Sequence, residues 1–274
     1  MKNFFFLLVS AFFILSCNQS FNKVLKSKDF DYKLTMADKY YGAKKYNKAQ
    51  QLYIELFPIF KGTDKFEDLY YKYAYCAYYL RDYPNAENLF SGYLGVFPNS
   101  QRAEEIAYMN SFTFYKQSPK PELDQANTVK AIGMMQTFIS NYPNSPRVKD
   151  AQNIISLCRS KLESKEFKAA KLYYNLSQYQ AAGIYFSNLV REYPDSERGD
   201  EYMFMALKSN FEFAEKSIRD KQEERFEQVV NEYFDFVDRY PESKYLKEAE
   251  SLKTQSENNI KHLKNEQVKK TASS

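Results

Sequence analysis

Apolar side chains recur along most of the chain at the spacing of one face of an α-helix. In one segment Tyr70, Tyr73, Ala74 and Ala77 fall at positions i, i+3, i+4 and i+7, which places them on a single stripe. Short polar or proline-containing stretches interrupt this pattern at intervals. The pattern therefore predicts a series of amphipathic helices, each of which packs through one face.

A four-residue motif of the form aromatic-Pro-polar-Ser recurs between these helical segments. Successive prolines of the motif are 45, 51 and 47 residues apart, and the copies lie at 97–100, 142–145, 193–196 and 240–243. Proline cannot continue the helix that precedes it. The serine is a good N-cap residue for the helix that follows. Each copy therefore predicts a joint between two helices.

Each proline is preceded, twelve residues earlier, by a small or β-branched residue, with a bulky residue four positions after that. The pairs are Ala86/Phe90, Ala131/Met135, Ala182/Phe186 and Val229/Tyr233, and an earlier copy is Ala49/Tyr53. This spacing resembles tetratricopeptide repeats, in which the small residue lets two antiparallel helices approach. It predicts an all-α tetratricopeptide-repeat solenoid of about five helix pairs, at 30–60, 64–97, 100–142, 145–193 and 196–240, followed by a C-terminal capping helix.

The N-terminus is typical of an exported lipoprotein. A short positive start precedes the apolar run from Phe4 to Leu15, which is too short to span a membrane and suits a signal peptide. Ile14 to Cys17 resembles a bacterial lipobox, in which the cysteine is lipidated; the alternative is an ordinary secreted protein. We expect a cleaved signal peptide at 1–16, a lipidated Cys17 with a tether at 17–29, a repeat domain at 30–265 and a flexible tail at 266–274.

The composition argues against catalysis. Among 274 residues there are one histidine, no tryptophan, seven glycines and three cysteines, which leaves few residues for a metal site, a cofactor site or a nucleophile-histidine pair. The net charge is +4 and the charges are interspersed, so no nucleic-acid partner is indicated. We therefore predict a protein that is not an enzyme, has no metal or cofactor, and carries His262 on its surface. Cys76 and Cys158 are expected to be buried thiols; the alternative is a disulfide between them.

A second stripe of tyrosines lies off the predicted core of the second repeat. It contains Tyr71, Tyr75 and Tyr78, and Tyr41 occupies the position equivalent to Tyr78 in the first repeat. Tyrosine offers a large apolar area with a hydrogen-bonding tip at low entropic cost, which suits binding of an extended peptide. Tyr41, Tyr71, Tyr75 and Tyr78 are therefore candidate peptide-binding residues; the alternative is that these rings only pack between repeats.

Part of the fourth repeat carries a more specific resemblance. The stretches 158–167, 170–174 and 179–182, read with the lipobox and the five repeats, resemble the BamD family of outer-membrane assembly lipoproteins. The resemblance implies a non-enzymatic component of the β-barrel assembly machinery that is lipid-anchored at the periplasmic face of the outer membrane.

The same resemblance implies the partners. These are the periplasmic domains of the barrel insertase, contacted mainly by C-terminal repeats, and the C-terminal segments of unfolded outer-membrane proteins, bound near the N-terminal repeats. The alternative is a tetratricopeptide lipoprotein that coordinates other cell-envelope or division enzymes.

Overall fold

The computed structural model describes residues 21–272, and within that range the regular structure is entirely helical. A short helical segment at 21–25 precedes eleven α-helices. They are α1 (Phe30–Gly42), α2 (Tyr46–Phe60), α3 (Phe66–Tyr79), α4 (Tyr83–Val96), α5 (Ala103–Gln117), α6 (Ala126–Asn141), α7 (Val148–Asn175), α8 (Tyr179–Glu192), α9 (Gly199–Glu215), α10 (Arg219–Arg239) and α11 (Leu246–Ala272). None of the described helices is both long and apolar enough to cross a membrane.

The helices form five consecutive pairs followed by one further helix, which confirms the all-α tetratricopeptide prediction. The pairs α1–α2, α3–α4, α5–α6, α7–α8 and α9–α10 begin and end within three residues of the predicted repeats. Pro119 and Pro121, which cannot continue a helix, lie in the loop between α5 and α6. Helix α7 has 28 residues, about 42 Å at the usual rise per residue.

The small residues of the repeat frame lie in the packed cores. Ala49, Ala86, Ala131, Ala182 and Val229 are all fully buried. The bulky residues four positions later, Tyr53, Phe90, Met135 and Phe186, are also fully buried, whereas Tyr233 in the last pair is half-buried. A larger side chain at the alanine positions would overpack these contacts.

The turn inside three of the pairs has one repeated geometry. Lys44, Arg81 and Ser177 have φ of 57°, 62° and 58°, which is the left-handed conformation that commonly ends a helix. In the α3–α4 turn, the N–H of Asp82 donates to the carbonyl of Ala77 at 3.0 Å. These bonds satisfy carbonyl groups that the end of a helix leaves unpaired.

Contacts divide the chain into two compact units, Met1–Arg159 and Ser160–Ser274, so that α7 contributes residues to both. The described part of the first unit contains one core around α1 to α5 and a second around α5, α6 and the start of α7. The second unit contains one core around the end of α7, α8 and α9 and another around α9, α10 and α11.

The packed structure begins earlier than the sequence predicted. Phe21 and Val24 are 5% and 1% exposed, and the Phe21 ring meets the Tyr40 ring edge to face at 5.5 Å. Because these two residues lie three apart on the helical segment at 21–25, one face of that segment joins the core. The predicted tether at 17–29 is therefore wrong from Phe21 onward. The signal peptide at 1–16 and Cys17 lie outside the described residues.

The last helix continues past the predicted domain end. Helix α11 runs to Ala272, through residues for which we expected a tail from 266. Leu263 is buried against α10, and Lys264 forms ion pairs of 3.3 Å with Glu223 and Glu227 of α10. No proline or glycine follows Leu246, so no helix breaker stops α11 after these contacts.

Candidate functional site

A contact that the sequence did not reveal links each of the last four helix pairs to the joint that follows it. The serine of the joint donates its hydroxyl to an acid in the first helix of the preceding pair. The Oγ-to-carboxylate distances are 2.6 Å for Ser100 and Glu67, 2.6 Å for Ser145 and Glu104, 2.5 Å for Ser196 and Glu163, and 2.8 Å for Ser243 and Asp200. Each serine also accepts the N–H of the residue two positions later.

The residue two positions after each serine completes this contact, which we call the serine clamp. Its side chain lies over an aromatic ring four residues after the acid. The guanidinium carbons of Arg102, Arg147 and Arg198 lie 4.3, 5.9 and 3.7 Å from the ring centres of Tyr71, Tyr108 and Phe167. At the last joint Tyr245 stacks on Phe204 at 4.7 Å. Such cation–π and stacked pairs favour one arrangement of the two helices.

The clamp sets the environment of its acids. Acids on the polar face of a helix are usually solvent-exposed. Instead Glu104 and Glu163 hold clamps and are half-buried. The acid-x-x-x-aromatic spacing in four repeats and the Ser-x-Arg triplet at three of the four joints were present in the sequence, and aligning the repeats on them would have revealed the pairing.

The four candidate tyrosines belong to one continuous set of rings in the first unit. We call Tyr41, Tyr46, Tyr71, Tyr75, Tyr78 and Tyr79 the tyrosine ladder. Tyr41 meets Tyr46 edge to face at 5.7 Å, and Tyr46 stacks on Tyr79 at 4.4 Å. Tyr79 contacts Tyr78 at 5.5 Å and Tyr75 at 5.7 Å, and Tyr75 contacts Tyr71 at 4.7 Å. Within the ladder, the ring contact between Tyr46 and Tyr79 joins the first repeat to the second.

Tyr75 and Tyr71 form the inner part of the ladder. Tyr75 is only 6% exposed, its ring meets Phe90 at 5.3 Å, and both phenols donate to Glu105, from Tyr71 at 3.0 Å. Burial, with the Glu105 carboxylate as a further cause, raises the pKa of Tyr71 to about 12 and raises the pKa of Tyr75 further. Tyr75 has little surface left for a ligand, and Tyr71 lies under Arg102 in a serine clamp.

Tyr41, Tyr78 and Tyr79 form the outer part. Tyr41 and Tyr78 are half-buried and Tyr79 is 46% exposed. Burial raises the pKa of all three phenols, so each remains a neutral donor at physiological pH. Their hydroxyls make no hydrogen bond with any residue between 21 and 272. These three side chains therefore combine an apolar ring with a free hydrogen-bonding tip.

The ladder continues into the third repeat. Phe112 and Tyr115 of α5 occupy the positions equivalent to Tyr75 and Tyr78, counted from the clamp acids Glu104 and Glu67. The Phe112 ring lies 6.4 Å from Tyr78 and 5.6 Å from Tyr115. Tyr115 was not among the candidates from the sequence. The loop after Ser118 lengthens the third repeat, so that counting the usual number of residues back from its second helix does not reach Tyr115.

The remaining sequence candidates are placed as follows. Cys76 and Cys158 are buried, unbridged thiols in different cores, and burial raises the pKa of Cys76 to about 12. The side chain of His262 is 70% exposed and its Nδ1 lies 3.3 Å from Glu266. The structure thus confirms buried thiols and a surface histidine. Between residues 21 and 272 no group of three or more His, Cys, Asp and Glu side chains is arranged to hold a metal ion.

Comparison with known proteins decides the family. The family model YfiO, described as "Outer membrane lipoprotein", matches residues 32–222 of the chain, from α1 into α10. The chain belongs to the YfiO family of outer membrane lipoproteins. This match covers both helices of the first four repeats, all four serine-clamp acids and the tyrosine ladder.

Relatives with curated descriptions agree with this assignment. A protein of Pasteurella multocida (strain Pm70) described as "Outer membrane protein assembly factor BamD" is 22% identical over 207 residues, which cover 72% of this chain and 79% of that protein. A protein of Caulobacter vibrioides with the same description is 22% identical over 136 residues, covering 50% of this chain and 45% of that protein. These matches confirm the resemblance to the BamD family drawn from the sequence.

Solved structures that match the chain include two with tetratricopeptide repeats, both at TM-scores below 0.5. The TPR2AB-domain:pHSP90 complex of yeast Sti1 covers 83% of this chain, with 11% identity and a TM-score of 0.38. A structure with kinesin light chain TPR-like repeats from Podospora anserina covers 77% with 10% identity and a TM-score of 0.31.

Proposed function

We propose that the chain is a lipid-anchored scaffold of outer-membrane β-barrel protein assembly. In this role Cys17 carries the lipid, the tyrosine ladder binds C-terminal segments of unfolded outer-membrane proteins, and C-terminal repeats bind the periplasmic domains of the barrel insertase. The observation that supports this most is the family match over residues 32–222, together with relatives described as outer-membrane assembly factors.

The geometry supports peptide binding as the chemistry of the first unit. Tyr41, Tyr78 and Tyr115 occupy equivalent positions in three successive repeats, and Tyr79 adds an exposed ring beside them. An extended segment with alternating aromatic side chains offers rings at regular intervals. Exposed phenols can donate to the unpaired backbone carbonyls of such a segment, while the rings bury its apolar side chains.

The remaining features of the chain favour a scaffold over an enzyme. The described residues form clamps and cores in which the acids of the clamp helices accept hydrogen bonds from serine and tyrosine hydroxyls. We therefore assign the chain no reaction and no cofactor, and we propose that its surface residues determine which partners it binds.

Co-purification tests the assembly role. A tagged chain extracted in mild detergent should recover a β-barrel insertase, and labelling with radioactive palmitate should mark the native chain but not Cys17→Ala. Recovery of cell-envelope or division enzymes without an insertase would contradict the assembly role and support the alternative.

Site-specific photo-crosslinking tests the location of the peptide site. A photoreactive phenylalanine in place of Tyr79 should crosslink to unfolded outer-membrane proteins. The matched control is the same group in place of Ile184 of the second unit, which is 55% exposed. Equal crosslinking from both positions would contradict a site on the ladder.

A further inference from the structure

Positive charge is concentrated at the N-terminal end of the repeat domain. Residues 21–50 contain eight lysines and three aspartates, a net charge of +5. Residues 51–274 contain 30 basic and 32 acidic residues, a net charge of −2. The positive net charge of the chain therefore comes from a segment of 30 residues that directly follows the lipobox.

Five of these lysines lie around the site where the N-terminal segment packs against α1 and α2. The Nζ of Lys48 lies 5.1 Å from the ring centre of Phe21 and 5.7 Å from that of Tyr40. Lys44 and Lys45 form the turn that joins α1 to α2, Lys39 lies in the last turn of α1, and Lys23 follows Phe21 by two residues. We call Lys23, Lys39, Lys44, Lys45 and Lys48 the N-terminal lysine cluster.

Most of this charge is not used to hold the fold together. Lys23, Lys39, Lys44 and Lys45 are exposed, and none of them forms an ion pair with an acid in the described part of the chain. Other lysines of the same unit behave differently: Lys33 is buried and lies 2.6 Å from Glu55, and Lys72 pairs with Asp38 and Asp68. Lys23, Lys39, Lys44 and Lys45 are thus available to an external anion.

The position of Cys17 limits how far the cluster can lie from a lipid anchor. Phe21 lies four positions after Cys17, and four positions of extended chain span at most about 14 Å. Phe21 is fixed in the core against Tyr40, and Lys48 lies over its ring. A charge at this distance from a membrane is within one to two screening lengths at physiological ionic strength, each about 8 Å.

We propose that the N-terminal lysine cluster binds the anionic phospholipid headgroups of the membrane in which Cys17 is anchored. This proposal rests on the lipid anchor of the proposed function and adds a second, electrostatic contact to it. The lipid anchor alone holds the chain to the membrane at one point. The lysines of the α1–α2 turn add a second contact, so that one face of the first repeat is oriented toward the membrane. Each lysine held near an anionic membrane strengthens the association about fivefold.

Lysine labelling on vesicles tests the contact with the mature, lipidated chain. The chain is reconstituted in vesicles of phosphatidylethanolamine and phosphatidylglycerol, and in neutral vesicles of phosphatidylethanolamine and phosphatidylcholine. An amine-reactive acyl ester is added to both, and its reaction with each lysine is followed by mass spectrometry. We expect Lys44 and Lys45 to react at least about fivefold more slowly on anionic vesicles. High salt should remove the difference.

Exposed lysines elsewhere provide the internal control. Lys61, Lys120, Lys149, Lys247 and Lys261 are exposed and should react at the same rate on both kinds of vesicle. Equal rates for Lys44 and Lys45 on both kinds of vesicle would overturn the proposal, as would protection that appears only when an acidic protein partner is added.

A variant separates this proposal from the anchor. Replacing Lys23, Lys44 and Lys45 with Gln should leave the lipidated chain bound to vesicles but equalise the labelling of Lys39 and Lys48 on the two vesicle types. A chain that does not float with vesicles shows that the anchor itself is wrong. A chain that floats with unchanged protection of Lys39 and Lys48 shows that the anchor is right and that the lysine contact is wrong.

Discussion

The two units use the same serine clamp but carry different side chains beside it. Counted from the clamp acids Glu67 and Glu163, the Tyr71 position is Phe167, the Tyr78 position is Tyr174 and the Ala86 position is Ala182. The Tyr75 and Tyr79 positions, in contrast, are Lys171 and Asn175. The second unit therefore keeps every residue that the clamp needs and loses two rings of the ladder.

The tyrosines that occur at equivalent positions in both units also have different neighbours. In the second unit Tyr174 meets Tyr179 at 5.3 Å, as Tyr41 meets Tyr46, but the Nζ of Lys216 lies 4.5 Å from the Tyr179 ring centre. In the first unit Tyr46 stacks on the ring of Tyr79 instead. The residues that build the repeat thus recur in both units, whereas the rings of Tyr75 and Tyr79 belong to the first unit.

The largest loss of stability should come from removing the buried phenylalanine that the repeat frame has in both units. Phe90 and Phe186 occupy equivalent positions and both are fully buried. Phe90→Ala and Phe186→Ala should each lower the free energy of unfolding by about 3–5 kcal/mol. Hydrogen exchange should locate the first effect at 66–96 and the second at 160–192. A loss below about 1 kcal/mol for either variant would contradict an equivalent frame.

The clamp serine should matter equally in both units. Ser100→Ala and Ser196→Ala each remove one donor to a half-buried carboxylate, which should lower the free energy of unfolding by about 1–2 kcal/mol in urea titrations. Ser91→Ala and Ser187→Ala are matched controls, because these serines are exposed and occupy equivalent positions in α4 and α8. The controls should change stability by less than about 0.5 kcal/mol. A loss of stability for only one of Ser100→Ala and Ser196→Ala would show that the clamp does not stabilise both units.

Two acids should give the units opposite responses to pH. Hydrogen bonds from Ser100 and Tyr93 lower the pKa of Glu67, so its stabilising contribution is present above the unfolded pKa and is lost as the pH falls through the folded pKa. Burial raises the pKa of Glu232, which accepts from Asn210 at 2.7 Å. Its contribution is therefore largest at low pH and is lost as the pH rises from the unfolded pKa through the folded pKa.

Stability measured between about pH 7 and pH 3 checks these signs. Relative to Glu67→Gln, the native chain should lose stability as the pH falls. Relative to Glu232→Gln, the native chain should gain stability over the same range. A profile of the same sign for both acids would contradict the environments described for them.

The sequence predicted what depends on periodic apolar spacing and on helix breakers. The five pairs, the loop near Pro119 and the buried positions of Ala86 and Phe90 follow from spacing, because each can be derived from residues close together in the chain. The Ser100–Glu67 contact joins residues 33 apart, and nothing in a single repeat indicates that partner.

The candidate site was predicted in part. A period of three to four residues placed Tyr71, Tyr75 and Tyr78 on one stripe, but it could not show that Tyr75 is buried, because its burial comes from Phe90 of α4 and Glu105 of α5. Tyr79 was missed because its ring is positioned by Tyr46 of the preceding repeat. The N-terminal boundary was misplaced for a similar reason, since the polar residues around Phe21 and Val24 hide an apolar pair that packs on α1.

The affinity for an aromatic-ended peptide tests the central claim, that the ladder gives the first unit a binding surface which the second unit lacks. Calorimetric titration with the C-terminal segment of an outer-membrane protein should show at least about a tenfold weaker Kd for Tyr41→Ala/Tyr78→Ala/Tyr79→Ala. The control Tyr174→Ala/Tyr179→Ala/Tyr185→Ala in the second unit should stay within about twofold of the native chain. Equal affinities for both triple variants, with both folded by circular dichroism, would contradict the claim.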